Sequence, residues 1–433
     1  MDKQPFHNTK NDDFSKLQSL KTLPKRPLFS SKYCLPTSIV AILVIVLLTY
    51  NSFSIFYFNL DFPMENDKEI KKKLPCIDVN KQLHTLKHTL FSKTTHHISY
   101  KKTTKQNLHI KKLAKLIHKS PSFEPTNKTF AKRVRLFFNE NSCQFRVFMT
   151  WISSIKSFQE REKFTIESLF KFHPQACLLI VSNSMGSSKG TQVLEPFLKL
   201  KFKVMAISPD FKFIFKNTMA DDWYNQLEKG HINPGLISIG QNLSNLLRLA
   251  LLYKYGGVYM DTDFIVVNKL DGLKNVIGAQ TIDPITKNWA RLNNALMIFD
   301  KKHPLLFKFI DEFALTFNGN KWGHNGPYLV SRVVSRVISN NNRTMEDASE
   351  FTILPPVAFY VVDWSRIGNL FKMPMDENHS KWINHKLNHI KEESYVVHLW
   401  NRQSRKIQVE KGSIISHLMK RSCIFCNSSR EIS

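Results

Sequence analysis

The stretch ALLYKYGGVYMDTDFIVV, residues 250–267, constrains this chain more than any other. A leucine-rich run ends at a paired glycine, and two aspartates then interrupt an apolar, strand-like run. An aspartate in such company costs free energy unless it is paired or binds a cation. Just upstream, QNLSNLLRLALLYKYGG (241–257) is apolar on most of a helical circumference, which predicts a buried helix. Gly256 or Gly257 supplies the left-handed residue that ends it. Side chains alternate along a strand, so VYMDTDFIVV places Tyr259, Asp261 and Asp263 on one face and Thr262 on the other. Two carboxylates so close repel each other unless a cation lies between or beside them. Hard divalent ions favour oxygen ligands of this kind and leave positions open for water or phosphate.

From about residue 143 the chain alternates strand-like and helix-like segments. CQFRVFMTWI, ACLLIVSN and KFKVMAI read as buried strands, and SFQEREKFTIESLFKFHP and TQVLEPFLKL as helices, the first stopped by a proline. Such alternation predicts an α/β architecture, a sheet with helices on its faces and ligands at the carboxyl ends of its strands. No internal repeat is visible.

The N-terminal third has a different texture. Residues 33–60 carry no charge, and IVAILVIVLLTY (39–50) is nearly all apolar, long enough to span a bilayer with some tilt. Lys21, Lys25, Arg26 and Lys32 precede the run, and Asp61, Glu65 and Asp67 follow it. The positive-inside rule then keeps the N-terminus cytoplasmic and the remainder lumenal. The competing reading, a cleaved signal peptide, is disfavoured by a 32-residue polar leader with no A-x-A site. The expected organisation is a cytoplasmic tail (1–32), a transmembrane signal anchor (33–60), a stem (61–140) and a lumenal domain (141–433). The formal charge of +27 lies largely between residues 68 and 135, as expected of a solvated basic stem; an anionic partner there is the alternative. A lumenal body permits disulfides among Cys76, Cys143, Cys177, Cys423 and Cys426, with CIFC (423–426) pairing either locally or with a distant cysteine. Sequons at Asn127, Asn242, Asn342, Asn378 and Asn427 are candidate glycosylation sites.

Three blocks together carry a resemblance. SNLLRLALLYKYGGVYMDTD (244–263), LNNALMIFDKKHPLLFKFIDEF (292–313) with WGHNGPYLVSRVV (322–334), and YVVHLWN (395–401) occur in the order seen in DXD-containing α1,4-glycosyltransferases. The chain is similar to the α1,4-galactosyltransferase and α1,4-N-acetylglucosaminyltransferase family, including its plant members, over roughly residues 143–426. That resemblance implies a GT-A fold, a Rossmann-like mixed sheet flanked by helices. It also implies a UDP-sugar donor, Mn2+ or another divalent cation, a glycan or glycolipid acceptor, no nucleic acid, and a single-pass type II Golgi membrane protein.

Carried over residue by residue, Asp261 and Asp263 match the DXD pair that holds the metal against the donor diphosphate. Arg248, thirteen residues earlier, matches an arginine facing the donor, where a guanidinium suits oxyanions. Asn245 stands where many wider relatives have an aspartate that grips sugar hydroxyls, so it leaves the donor sugar open. Tyr259 lines the same pocket or simply packs. His398 either completes the metal shell or is an ordinary half-buried histidine. His324 and Asn325, in a turn that opens a helix, are candidates for hydroxyl contacts; Trp151 is a candidate for the nucleotide. Asn293 and Asn294 are weaker candidates for the sugar side.

The implied reaction retains the donor's α configuration. Retention commonly uses a carboxylate nucleophile, for which Asp283 is the candidate, with turn formation as the competing role. Same-face attack assisted by the departing phosphate needs no such group and is preferred. A glycosidase using Asp261 and Asp263 is disfavoured, because glycosidase carboxylates lie on opposite sides of the bond they cleave. A non-catalytic protein that binds anionic polymers through the stem stays open, as does an inactive protein of glycosyltransferase fold.

Overall fold

The computed structural model describes residues 129–339 and 350–426. All of them belong to the compact unit Ser99–Ser433; the other unit, Met1–Ile98, lies outside the described residues. The expected tail (1–32), anchor (33–60) and most of the stem (61–140) therefore fall outside as well. Among the described residues no helix is long and apolar enough to cross a membrane.

The body begins earlier than residue 141. Helix α1 (Phe130–Glu140), capped by the Thr129 side chain, sends Phe130, Val134 and Phe138 into the main core. Its three-to-four-residue apolar spacing, masked in the sequence by KRVR, makes it part of the globule.

Strand β1 (Arg146–Trp151) is followed by α2 (Glu160–Phe172), β2 (Cys177–Ser182), α3 (Ser188–Lys199) and β3 (Lys203–Ile207). Each element matches a segment predicted above. In α2, Gln159 and Glu162 form a reciprocal capping box, and the helix stops just before Pro174. Strands β1, β2 and β3 pair in parallel, as strand–helix–strand crossovers dictate. A disulfide from Cys143 to Cys177 ties the approach to β1 to the first residue of β2.

After two short helices, α4 (Phe211–Phe215) and α5 (Met219–Glu228), comes the leucine-rich α6 (Ile239–Tyr255). Gly256 ends it at φ +67°, a region glycine enters at little cost, and its N–H caps the Leu252 carbonyl. Strand β4 (Gly257–Met260) then joins the sheet on the other side of β1, again in parallel. The next strands, β5 (Phe264–Val266), β6 (Val276–Ile282), β7 (Trp289–Phe299) and β8 (Thr352–Leu354), complete the strand inventory up to β9 (Val396–His398). The seven-stranded order is β3-β2-β1-β4-β7-β6-β8, with β7 antiparallel to both its neighbours.

This is a mixed α/β fold with a parallel-rich central sheet, as the sequence predicts. Its strand order reverses between β1 and β4, because β2 leaves β1 in one direction and β4 docks on the other. At such a switch point the connecting helices lie on opposite faces of the sheet and open a crevice beyond the carboxyl ends of the strands. Apolar residues fill both faces. Leu243, Leu246, Leu247, Phe148 and Tyr259 meet on the α6 side; Ile166, Leu169, Val147, Val258 and Met260 meet on the α2 side.

Residues 258–267 are not one continuous strand. Strand β4 stops at Met260, and β5 pairs in a separate two-stranded sheet with β9, antiparallel. The residues between, Asp261-Thr262-Asp263, are the passage from one sheet to the other. Alternation along the sequence cannot reveal the break, because both pieces are equally apolar. The C-terminal part supplies α7 (Pro304–Thr316), α8 (Pro327–Ser339), α9 (Pro356–Phe359), α10 (Glu377–Glu393), α11 (Asn401–Ser404) and α12 (Ile414–Arg421). Cys423 and Cys426 pair with each other, so CIFC takes its local option.

Candidate functional site

Asp261 lies at the carboxyl end of β4, in the switch-point crevice. Its N–H still bonds the Ala295 carbonyl at 2.8 Å, so the last ladder bond with β7 fixes its backbone. The chain then leaves the sheet. The Thr262 carbonyl is held by the Thr165 hydroxyl of α2 at 2.9 Å, and the Asp263 carbonyl by the Leu399 N–H at 2.8 Å. The two carboxylates are thus pinned by elements on either side of the break.

Their surroundings differ. The guanidinium of Arg248, on α6, donates to both oxygens of Asp261 at 3.0 and 3.2 Å. The same guanidinium donates to the carbonyls of Asn294 at 2.8 Å and Ser244 at 3.3 Å. It lies 4.6 Å from the Tyr259 ring centroid. Arg248 is only 6% exposed, and such a cation is retained in a core only when paired. Thus four of its five N–H donors are spoken for by the fold. Tyr259 donates its hydroxyl to Asp261 Oδ1 at 2.6 Å and meets Thr150 Oγ1 at 2.8 Å, and Thr150 in turn meets the Ser244 hydroxyl. Thr150 and Ser244 were not candidates in the sequence; each is a small hydroxyl residue beside one (Trp151, Asn245), which was the available signal.

Asp263 is held from the C-terminal side. His398 Nε2 approaches Oδ1 at 3.2 Å, and the Asn401 N–H donates to Oδ2 at 3.0 Å. Trp400 makes that N–H available by adopting φ +51°, ψ +55°, a left-handed conformation that costs an ordinary residue about 1 kcal/mol. Asn401 is itself anchored, its amide donating to Glu162 Oε1 at 3.1 Å, and Glu162 is buried against Arg405. Burial pushes the Asp261 carboxyl above its ordinary range, and the charge of Asp263 adds to that against the opposing pull of Arg248. Burial acts on Asp263 as well, but His398 and the Asn401 N–H outweigh it and hold that carboxyl below its ordinary range.

Both carboxylates still reach solvent, their side chains 28% and 16% exposed. Asp261 Oδ1 spends both lone pairs on Tyr259 and Arg248, whereas Asp261 Oδ2 and both oxygens of Asp263 each keep one beyond those engaged by the fold. Two hard, anionic, partly open oxygen groups fit a divalent cation. The expected third ligand fits less well. His398 turns Nε2 to Asp263, its buried Nδ1 has no hydrogen-bond partner, and no group of three His, Cys, Asp or Glu among the described residues is spaced to hold a metal. As it stands, the histidine braces Asp263.

The other candidates separate into those near the pair and those spent on the scaffold. Asn245 accepts from Asn294 Nδ2 at 3.2 Å, and a Cβ built on Gly326 would lie 3.0 Å from Asn245 Oδ1. Asn245, Asn294 and Gly326 thus form one wall beside Arg248. Asn293 turns to Gln280 Oε1 instead, at 3.0 Å. Asn325 is buried. It donates both amide hydrogens, to Asn242 Oδ1 and the Asn318 carbonyl, and accepts from the Asn318 N–H. His324 Nε2 meets the Thr316 carbonyl at 2.8 Å. These two side chains build the 318–326 loop; neither hydrogen-bonds a group around the aspartates. Trp151 caps the end of β1, donating to the Ser154 carbonyl at 3.2 Å with its ring edge-on to Phe158. Asp283 is a turn former: half-buried, its carboxylate accepts from the N–H groups of Ile285 and Thr286. The Asn242 sequon is buried inside α6, where no glycan fits, whereas Asn378 is exposed on α10.

Residues 298–430 match the family described as alpha 1,4-glycosyltransferase conserved region. Residues 159–282 match the glycosyltransferase sugar-binding region containing DXD motif. The chain is 31% identical over 311 residues to an uncharacterized protein of Arabidopsis thaliana, covering 71% of this chain and 46% of that relative, so it spans less than half of the relative's length. It is 31% identical over 265 residues to human lactosylceramide 4-alpha-galactosyltransferase, covering 60% of this chain and 70% of the enzyme. With human alpha-1,4-N-acetylglucosaminyltransferase it shares 24% identity over 278 residues, 60% of this chain and 73% of the other. Among solved structures it is similar to PaToxG glycosyltransferase, at a TM-score of 0.35 and 17% identity over 68% of this chain and all of that one, a likeness too partial to carry weight. The matched segments enclose the helix, the paired glycine, both aspartates and the β9 segment that braces Asp263, and the chain belongs to the α1,4-glycosyltransferase family of DXD-containing sugar transferases.

Proposed function

We propose that this protein transfers a hexose from a UDP-sugar to a hydroxyl of a glycan or glycolipid, with retention and with a divalent cation, Mn2+ or similar. Galactose and N-acetylglucosamine are the favoured sugars and an α1,4-type bond the product, by analogy with the relatives named above. One observation carries the reading. Two partly exposed carboxylates stand at the carboxyl end of β4, where the sheet order reverses, each braced by buried partners. An open α/β sheet binds its ligands at that place.

Asp261 and Asp263 would hold the cation, which when bound neutralises charge on the departing diphosphate. Arg248 keeps Asp261 ionised and oriented, and brings one positive charge to the phosphate side of the site. Its near-complete engagement makes it a brace first and a donor contact second. Tyr259, Thr150 and Ser244 form a hydroxyl chain that fixes the other edge of Asp261. Asn245 and Asn294 present neutral amides, which recognise sugar hydroxyls without placing a charge beside them. With Asp283 confined to its turn, the attack assisted by the departing phosphate is the route that these residues favour. The GT-A fold, the type II orientation and the Golgi lumen belong to this proposal, supported by family membership and by the charge-free run at 33–60.

The test is UDP release from a panel of UDP-sugars by the purified full chain, with Mn2+ and with EDTA. One donor consumed only with the metal is the expected result. No turnover of any donor, or turnover indifferent to EDTA, contradicts the proposal.

A further inference from the structure

Beyond the donor side, two exposed aromatic residues flank the loop whose Gly326 abuts Asn245 and Asn294. Trp322 is 50% and Tyr328 42% exposed, six residues apart across the 323–327 turn. Each is backed by a guanidinium. Arg402 lies 3.7 Å from the Trp322 ring centroid, and Arg291 lies 4.5 Å from that of Tyr328. Gly323 makes the arrangement possible. It turns the chain at φ +73°, and a Cβ there would come within 2.9 Å of the Tyr328 ring. Any other residue would displace that ring as well as strain the backbone.

Their position follows from short contact paths. Arg402 is the neighbour of Asn401, whose N–H binds Asp263. Gly326, in the same loop as Trp322, abuts the amides of Asn245 and Asn294. Arg291 precedes Asn294 by three residues on β7. Trp322 thus packs on the segment that follows β9 and holds Asp263, and Tyr328 on the strand that carries Asn294.

We propose that Trp322 and Tyr328, with Arg402 and Arg291, form the acceptor subsite and stack on a pyranose ring of the acceptor glycan. The inference rests on the transferase reading and extends it to the second substrate. Exposed aromatic surface is costly, and a concentrated patch beside a crevice marks a binding place. The negative face of an aromatic ring suits the polarised C–H groups on the apolar face of a sugar. A guanidinium on the ring limits its rotamers and offers unused donors to hydroxyls at the sugar's edge.

The test uses the full chain with lactose, N-acetyllactosamine and cellobiose as probes. Saturation-transfer NMR in the presence of UDP and diamagnetic Mg2+ reads binding directly. Wild-type protein is expected to saturate ring protons of at least one probe, and Trp322→Ala and Tyr328→Ala to lose at least about five-sixths of that signal, with Trp322→Phe recovering part. In turnover, the same alanine variants are expected to lose at least tenfold more transfer than acceptor-free hydrolysis of the UDP-sugar. Wild type that binds none of the probes overturns the subsite. So do variants that bind as well as wild type, or that lose hydrolysis and transfer in equal proportion. Failure of the transferase reading is distinguishable: no donor is hydrolysed, while the NMR signal and its dependence on Trp322 still judge the platform.

Discussion

Asp261 and Asp263 are two residues apart, yet they belong to different halves of the molecule. Asp261 is held by residues close in sequence, Tyr259 at two and Arg248 at thirteen positions, within one helix–glycine–strand unit. Asp263 is held by residues more than 130 positions away, His398 at the end of β9 and Asn401 at the start of α11. One carboxyl is raised and the other lowered by those settings. The difference shows that the pair is a seam. Neither half completes it alone, and a cation there would be bound only when the β9 segment has docked onto the sheet.

The strongest way to break this comparison is through activity, where the halves should behave alike. Asp261→Asn and Asp263→Asn are each expected to lower UDP-sugar turnover about 10³-fold, because each removes an anionic oxygen group from the ion's site. Turnover assays with Mn2+, on variants whose circular dichroism is unchanged, read this. One variant that stayed active would assign the ion to the other half alone.

Stability should then separate them. Asp261→Asn leaves Arg248 buried with no countercharge, at a cost of about 3 kcal/mol. Asp263→Asn keeps the Asn401 N–H bond through its amide oxygen and is expected to cost about 1 kcal/mol. Thermal or urea unfolding measures the gap; equal losses would erase the asymmetry. His398→Ala sharpens it further, as removal of a brace behind a ligand weakens metal binding about 10–100-fold. Titration of free Mn2+ by electron paramagnetic resonance reads that change without any turnover.

Acid probes the long-range half. His173 accepts the Leu270 N–H at 3.0 Å, just beyond β5, and stacks on Phe145. Burial pushes it down to about 4, with Lys269 acting the same way and Asp271 opposing. The unfolded chain binds that proton near pH 6.5 and the folded chain only near 4. The contribution is thus present above pH 6.5 and is lost as pH falls between those values, about 3 kcal/mol for this buried ring. Unfolding at pH 7 and pH 4.5 should show the loss, and His173→Gln should flatten it. Tyr259→Phe removes two hydrogen bonds of the short-range half, to Asp261 and Thr150, and is expected to cost about 1–2 kcal/mol in the same melts.

Much of this was legible beforehand for a physical reason. The strands and helices from Arg146 to Met260 are contiguous, periodic and closed by proline or glycine, so local sterics and burial specify them. Helix α6, its glycine end and the neighbourhood of Arg248 and Asp261 follow from the same short stretch. The roles expected of Asn325 and His324 were not legible. Their amide and imidazole groups are equally suited to a sugar or to a loop, and only the positions of Asn318, Asn242 and Thr316 direct them inward.

The amino-acid sequence by itself determined that a pair of aspartates would follow a buried helix and a glycine turn at a strand's carboxyl end, because periodicity and glycine's backbone freedom act over a few residues. Only the tertiary structure decided that the pair straddles two sheets, that His398 and Asn401 brace one member, and that Trp322 meets Arg402. Those contacts join segments separated by 80 to 140 residues, and no local rule constrains which of them meet. Burial of the two apolar faces of the sheet brings them together.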